Sequence, residues 1–91
     1  MKIDWTLTAL RETREQLSYV ASDNPTAAIR LTGEIKQHIA YLSMHPEMGR
    51  RGRVSGTREL VITGTPYIAI YRVKDDTVQI IRLLHGAQKW P

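Results

Sequence analysis

Two arginines and one histidine in the C-terminal half are the side chains of this sequence best suited to chemistry. Arg58 opens a strand-like run, Arg82 lies near the end of the last such run, and His85 follows it. A histidine can accept or donate a proton near neutral pH, and guanidinium groups stabilise negative charge that develops during a reaction. If the three side chains converge at one end of a sheet, they predict acid–base chemistry on an anionic substrate.

Each of these residues also has a structural interpretation, which the sequence leaves open. An arginine among apolar neighbours needs a partner, and Arg82 could bind Glu59 or a backbone carbonyl. Arg58 has Glu59 beside it, and His85 could be hydrogen-bonded into the end of the sheet. The residues alone therefore do not decide between a catalytic and a structural role.

The residue types argue against several other kinds of site. The chain has no cysteine, and its three histidines, His38, His45 and His85, lack the spacing of metal ligands. No glycine-rich loop of the P-loop type is present. We therefore expect no metal and no cofactor.

The charge is unevenly distributed along the chain. The formal net charge is +4. Residues 1–46 carry no net charge, and residues 47–91 carry the whole excess. Much of it lies in a glycine-containing basic loop that includes Arg50, Arg51 and Arg53. A basic half favours an acidic partner, either a nucleic acid or an acidic protein segment, although it could also serve solubility alone.

The N-terminal half predicts a strand followed by two helices. Residues 3–7 alternate apolar and polar side chains, as in a short strand. Thr8 is the expected cap of a helix that runs to about Ala21. Asp23 or Asn24 is the expected cap of a second helix, which begins with a proline and has apolar residues at helical spacing.

The C-terminal half predicts three strands joined by short loops. Residues 57–62, 67–73 and 77–84 are rich in Val, Ile, Thr and Tyr, with hairpin loops at 63–66 and 74–76. The order β-α-α-β-β-β predicts an α+β fold. In it an N-terminal strand precedes an antiparallel helical hairpin, which packs on one face of a small antiparallel sheet.

Strand alternation predicts which side chains share a face. One face of the last strand is expected to carry Val78, Ile80, Arg82 and Leu84. Tyr67 and Tyr71 flank Ala69 on one face of the preceding strand, and would form a stacking platform if a generic nucleic-acid-binding domain left them exposed. Trp90 could pack back on the domain or anchor a partner.

Length and composition predict one folded domain over residues 1–91. Hydrophobic residues make up 42% of the chain and charged residues 24%, which is typical of a soluble domain. No apolar run is long enough to span a membrane, and the N-terminus lacks the pattern of a signal peptide. We expect a cytoplasmic protein.

Six groups of residues, spread over nearly the whole chain, carry a family resemblance. They are Trp5-Thr6 with Ala9, Asp23-Asn24-Pro25 with Ala27-Ala28, His45-Pro46 with Met48-Gly49-Arg50, Gly56-Thr57-Arg58-Glu59-Leu60-Val61, Pro66-Tyr67-Ile68 with Tyr71-Arg72-Val73, and Arg82-Leu83-Leu84-His85 with Trp90-Pro91. In their order and spacing they resemble the RelE/ParE superfamily of bacterial type II toxins. The resemblance implies a growth-arresting toxin that a cognate antitoxin holds inactive in a hetero-oligomer. It implies no association with a membrane.

The superfamily has two branches with different targets. RelE-type members cut mRNA on the ribosome without a metal, by attack of the ribose 2′-OH on the adjacent phosphate. ParE-type members inhibit DNA gyrase and have no known catalytic site. For a RelE-type toxin, the resemblance implies that Arg58 and Arg82 stabilise the phosphate and that His85 acts as general acid or base.

The residues at branch-specific positions favour the ParE branch. Ile68 stands where many RelE-type enzymes carry an arginine, and Glu59 and Val61 stand near the positions of their paired lysines. The basic tail of those enzymes is reduced to Lys89. The resemblance thus favours a gyrase inhibitor that acts by binding, with the mRNA endonuclease as the alternative. The residues expected to contact the target or the antitoxin are Arg50, Arg51, Arg53, Tyr67, Tyr71 and Trp90.

Overall fold

Two long helices and five strands follow one another along the chain. The computed structural model describes residues 1–86 and 88–91. The elements are β1 (Lys2–Trp5), α1 (Leu7–Asp23), α2 (Pro25–Tyr41), β2 (Arg50–Arg51), β3 (Arg58–Val61), β4 (Tyr67–Lys74) and β5 (Thr77–His85). The predicted α+β class and element order are confirmed, with the short strand β2 added inside the basic loop.

The five strands form one mixed sheet in the order β1-β5-β4-β3-β2. Strand β1 runs parallel to β5, whereas the other neighbours are antiparallel. The expectation of a purely antiparallel sheet is therefore wrong at β1. The reason is that alternation predicts a strand but not the direction of its partner, and β1 has no hairpin turn to impose one.

The cap of α2 is one that the sequence predicts, whereas the cap of α1 is not. The Asn24 side chain accepts a hydrogen bond from Ala27 N at 3.1 Å, so Asn24 is the cap of α2, as one of the two predicted candidates. The cap of α1 is Thr6 and not Thr8. Its hydroxyl accepts from Ala9 N at 3.0 Å and donates to Ile81 O at 2.8 Å. Thr6 caps because it also reaches β5, a contact that local sequence does not reveal.

The helices cover one side of the sheet, and a bulge in β5 changes which side chains face them. The register passes from Tyr71 paired with Ile80 to Ile70 paired with Arg82, so Ile81 has no partner and the alternation shifts. The expectation that Arg82 shares a face with Val78 and Ile80 is therefore wrong. The side chains of β5 in the helix-side core are Val78, Ile80 and Leu83.

Helix α1 closes the part of the β5 edge that β1 leaves uncovered. Strand β1 pairs with β5 only as far as Ile80. Beyond that point, Leu83 N donates to Glu12 Oε1 at 3.2 Å, and Gln16 Nε2 donates to Leu83 O at 2.9 Å. Residues 12 and 16 are four apart and lie on the same helix face, so one face of α1 satisfies the strand backbone.

Glu12 also binds the Arg82 side chain. Arg82 Nε donates to Glu12 Oε1 at 2.9 Å, and Arg82 Nη2 donates to Glu12 Oε2 at 2.7 Å. The hydrogen bonds to Glu12 raise the pKa of Arg82 above its ordinary value. This bidentate pair fixes the guanidinium in place, and the partner is Glu12 and not Glu59.

Removing Glu12 is expected to weaken the fold. Glu12→Ala should lower the free energy of unfolding by about 2 kcal/mol, because it breaks a charge-assisted pair and leaves Leu83 N without its acceptor. In a double-mutant cycle with Arg82→Ala we expect a coupling of about 1–2 kcal/mol by urea unfolding. The matched control is the exposed pair Arg72–Gln79, joined at 2.8 Å. There the coupling should be about 0.5 kcal/mol or less, and equal couplings would contradict the assigned role of Glu12.

The turn between β4 and β5 holds two non-glycine residues in a left-handed backbone conformation. Asp75 and Asp76 have φ angles of 52° and 59°. Asp76→Gly should raise the free energy of unfolding by about 1 kcal/mol, because glycine has no steric penalty at positive φ. Asp76→Ala removes the same carboxylate but keeps a Cβ, and should give no gain. If both substitutions stabilise the protein equally in urea unfolding, charge removal and not backbone conformation is the cause.

Candidate functional site

The Arg58 side chain binds backbone carbonyls of the loop that precedes β2. Its Nη1 donates to Gly49 O at 2.7 Å and to Glu47 O at 3.2 Å. Arg58 pairs with Tyr71 across β3 and β4, which puts its side chain on the helix side of the sheet. It therefore binds backbone carbonyls and not its sequence neighbour Glu59.

The two tyrosines of β4 belong to the core. Tyr67 and Tyr71 are 3% and 0% exposed, and burial raises the pKa of both hydroxyls. Tyr71 donates to Pro46 O at 2.6 Å and accepts from Gly49 N at 2.8 Å, so it anchors the same loop as Arg58. The two rings therefore cannot serve as the stacking platform that a generic nucleic-acid-binding domain would need. Alternation shows that the two rings share a face, but not that the helices cover that face.

The other side of the sheet, here called the open face, brings several charged residues into one row. Across four strands, Arg50 is paired with Glu59, Glu59 with Ile70, and Ile70 with Arg82. The Glu59 carboxylate is almost fully buried and accepts from Arg50 Nη2 at 3.1 Å and from Arg53 N at 3.2 Å. An acid thus lies between the cations and neutralises part of their charge.

Trp90 lies over this row. Arg82 Cζ is 5.7 Å from the centroid of the Trp90 ring, and Arg53 Nη1 donates to Trp90 O at 3.5 Å. Ile70 and Leu84 are 1% and 3% exposed, although neither belongs to the helix-side core. We conclude that the C-terminal tail, residues 88–91, packs back on the domain and covers them.

His85 lies at the far end of β5. Its ring makes an edge contact with Tyr67, with 6.2 Å between centroids, and its backbone N donates to the Gln88 side chain at 2.7 Å. His85 pairs with Tyr67, whereas Arg58 pairs with Tyr71. Four residues along a strand span about 13 Å. Arg82 lies on the opposite face, so the structure does not bring the three predicted catalytic residues together.

The basic loop remains accessible. Arg50 and Arg53 have 62% and 65% of their side chains exposed, although both also contact Glu59. Arg51 is exposed and borders a shallow cleft with Gly52 and Thr57. Within residues 1–86 and 88–91, no carboxylate forms a salt bridge with Arg51. Of the predicted contact residues, these three arginines are therefore within reach of a partner.

An apolar groove between α1 and α2 was not anticipated from the sequence. It has a volume of about 940 Å³, and Leu10, Leu17, Ala28 and Ile29 contribute to its lining. Ile29 is 75% exposed, because it lies off the apolar stripe of α2 that faces the core. Arg14 and Lys36 also line the groove. The sequence feature that could have predicted the groove is Ile29, which lies off the apolar stripe of α2.

A metal-binding cluster and a membrane-spanning helix are both absent from the part of the chain that the structure describes. No group of three His, Cys, Asp or Glu side chains there could hold a metal ion. No helix in that part is long and apolar enough to cross a membrane.

Solved structures share this arrangement of helices and sheet. The toxin fold of the chromosomal ParDE toxin–antitoxin system from P. aeruginosa superposes with a TM-score of 0.83 and 25% identity, over 93% of this chain and 95% of that one. The YoeB/ParE toxin from Agrobacterium tumefaciens superposes with a TM-score of 0.63 and 19% identity, over 93% and 98% of the two chains. The second likeness concerns the fold alone.

Sequence relatives lead to the same family. The candidate toxin Y4kP of Sinorhizobium fredii (strain NBRC 101917 / NGR234) is 42% identical over 90 residues, which cover 99% of this chain and 93% of the relative. Toxin RelE2 of Caulobacter vibrioides (strain ATCC 19089 / CIP 103742 / CB 15) is 33% identical over 87 residues, which cover 96% and 97%. The family model of the ParE toxin of the type II toxin–antitoxin system parDE matches residues 3–90. The chain therefore belongs to the ParE toxin family within the RelE/ParE superfamily.

Proposed function

We propose that this toxin inhibits DNA gyrase by binding it and does not act by cutting RNA. The observation that carries the proposal is that the arginines suited to a cleavage site are committed within the fold. Arg82 directs Nε and Nη2 at Glu12, and Arg58 directs Nη1 at two loop carbonyls. Phosphodiester cleavage needs such donors aimed at the reacting phosphate, with an acid–base group beside them.

The basic loop is the surface that we assign to the target. Arg51 combines an exposed side chain with the absence of a carboxylate partner among residues 1–86 and 88–91. Its neighbours Arg50 and Arg53 add positive charge, although Glu59 neutralises part of it. Rim charges of this kind accelerate association with an acidic surface and set its orientation.

Ribosome-dependent mRNA cleavage remains the second candidate. Arg82 and His85 lie three residues apart on β5, and a relative that is 33% identical bears the name toxin RelE2. For this chemistry, Arg82 would first have to leave Glu12, because the carboxylate occupies two of its nitrogen donors.

Parallel assays of the purified toxin distinguish the two targets. We expect inhibition of gyrase supercoiling and no cleavage of mRNA on translating ribosomes. Arg51→Glu should weaken gyrase inhibition at least tenfold, because it reverses an exposed charge at the assigned contact surface. The control Arg30→Glu makes the same charge change on the exposed surface of α2 and should have no effect. Unchanged supercoiling at saturating toxin, together with mRNA cleavage that His85→Ala abolishes, would establish the alternative.

Family membership implies a cognate antitoxin, and we assign its main docking surface to the groove between α1 and α2. The groove is apolar, and Arg14 and Lys36 at its border carry positive charge. An amphipathic helix places apolar side chains on one face and charges on the other, so an acidic amphipathic segment fits both features.

A charge placed in the groove should prevent neutralisation by the antitoxin. We expect Ile29→Glu to weaken binding of the cognate antitoxin by at least tenfold, because it replaces apolar contact area with a carboxylate. Binding is measured by calorimetry. The control Tyr19→Glu changes a residue that is 82% exposed and lies outside this groove. An equal loss in both variants, or no loss in Ile29→Glu, contradicts the assignment.

A further inference from the structure

The open face carries a socket for an aromatic side chain, which the chain itself fills. Ile70 and Leu84 supply apolar area on this face, and both are nearly fully buried. The border of the socket carries the guanidinium groups of Arg53 and Arg82, which contact the carbonyl and the ring of Trp90. An apolar surface bordered by guanidinium groups matches an aromatic ring, which offers apolar area and a negatively polarised face together.

The hold of this socket on Trp90 is incomplete. The indole Nε1 is buried and has no hydrogen-bond partner within residues 1–86 and 88–91. A buried N–H without an acceptor opposes the burial of the ring that carries it. The hydrogen bond from Arg53 to Trp90 O is long, at 3.5 Å. The ring is thus held by apolar contact and a cation–π interaction, with a polar group that counts against docking.

The tail is attached more firmly at its beginning than at Trp90. Gly86 N donates to Pro66 O at 2.6 Å, Gln88 N donates to His85 O at 2.8 Å, and the Gln88 side chain accepts from His85 N. Among residues 1–86 and 88–91, the hydrogen bond that holds the tail beyond Gln88 is the one from Arg53. Trp90 can therefore leave the socket by rotation about residues 88–89 without disturbing the end of β5.

The charge of the socket indicates what could take the place of Trp90. Three arginines, Arg50, Arg53 and Arg82, face two carboxylates, Glu12 and Glu59. The local excess is positive, and two of the arginine side chains are mostly exposed. An incoming segment that carries carboxylates beside its aromatic residue would complement this charge, and could also satisfy donors that Trp90 does not.

We propose that the open face is a docking site for an acidic protein segment bearing an aromatic residue, and that residues 88–91 cover it until such a segment displaces Trp90. The proposal does not depend on whether gyrase or the ribosome is the target. The socket is separate from Arg51 and from the helix groove, but it shares Arg50 and Arg53 with the basic loop that is assigned to the target. The proposal requires that an aromatic ring and Trp90 exclude each other from the socket.

Peptide binding tests this competition. The probe is a labelled synthetic peptide with one phenylalanine flanked on each side by three aspartates, and its binding to the full chain is measured by fluorescence polarisation. Trp90→Ala should bind the peptide at least tenfold more tightly than the unsubstituted protein, because no ring has to leave first. Replacing phenylalanine by alanine in the peptide should abolish that gain. Equal affinity for both proteins, or for both peptides, would overturn the proposal.

A second measurement keeps the test valid if Trp90→Ala disturbs the fold. The chain has two tryptophans, so Trp5→Phe leaves Trp90 as the sole indole emitter. Saturation with the same peptide should shift Trp90 emission to the red and increase its quenching by acrylamide, because the ring becomes exposed. Arg30→Glu in the same background is the control and should show the same shift. Peptide binding without any change in Trp90 emission would refute displacement.

Discussion

Strand β5 has a neighbour on both sides along only part of its length, and the rest of its edge must find hydrogen-bond partners elsewhere. Helix α1 supplies them through its cap Thr6 and through Glu12 and Gln16, which bind backbone groups of Ile81 and Leu83. Unpaired backbone groups at a sheet edge are unfavourable when buried and promote aggregation when exposed. This contact fixes the position of α1 on the sheet, and α2 follows because a single capped turn joins the two helices.

The same contact determines what Arg82 can do. One carboxylate, that of Glu12, accepts from the β5 backbone and holds the guanidinium of Arg82, so neither interaction can be lost without weakening the other. Arg58 has a comparable structural duty, since it joins Tyr71 in holding the loop at Gly49. Both arginines keep their charge but direct donors inward. A sheet of this kind can present a positive surface to a partner while lacking the aimed donors that cleavage requires, which agrees with the proposed binding mode.

Local patterns predicted what depends on neighbours in sequence. The Asn24 cap with its following proline, the apolar stripe of α2 and the three C-terminal strands were all predictable, because each depends on residues a few positions apart. Long-range contacts decided the rest. Thr6 replaced Thr8 as a cap because Thr6 also reaches β5. The bulge at Ile81 turned Arg82 away from Val78 and Ile80, and thereby toward Glu12. Tyr67 and Tyr71 were buried because of where the helices lie, which alternation along a strand does not specify.

The two sides of the sheet differ in how a partner can reach the protein. One side is covered by the helical hairpin, and an incoming segment can enter the groove on the outer surface of this hairpin without displacing any part of the chain. The other is covered by the tail, so the apparent affinity of any ligand there is reduced by the fraction of molecules in which Trp90 is undocked. A partner with two segments, one for each surface, escapes this limit. Once its first segment lies in the groove, the second competes with Trp90 at a high effective concentration, and the two sites together bind more tightly than either alone. Under the proposed scheme, an antitoxin that occupies both surfaces binds the toxin more tightly than a target that reaches only one of them.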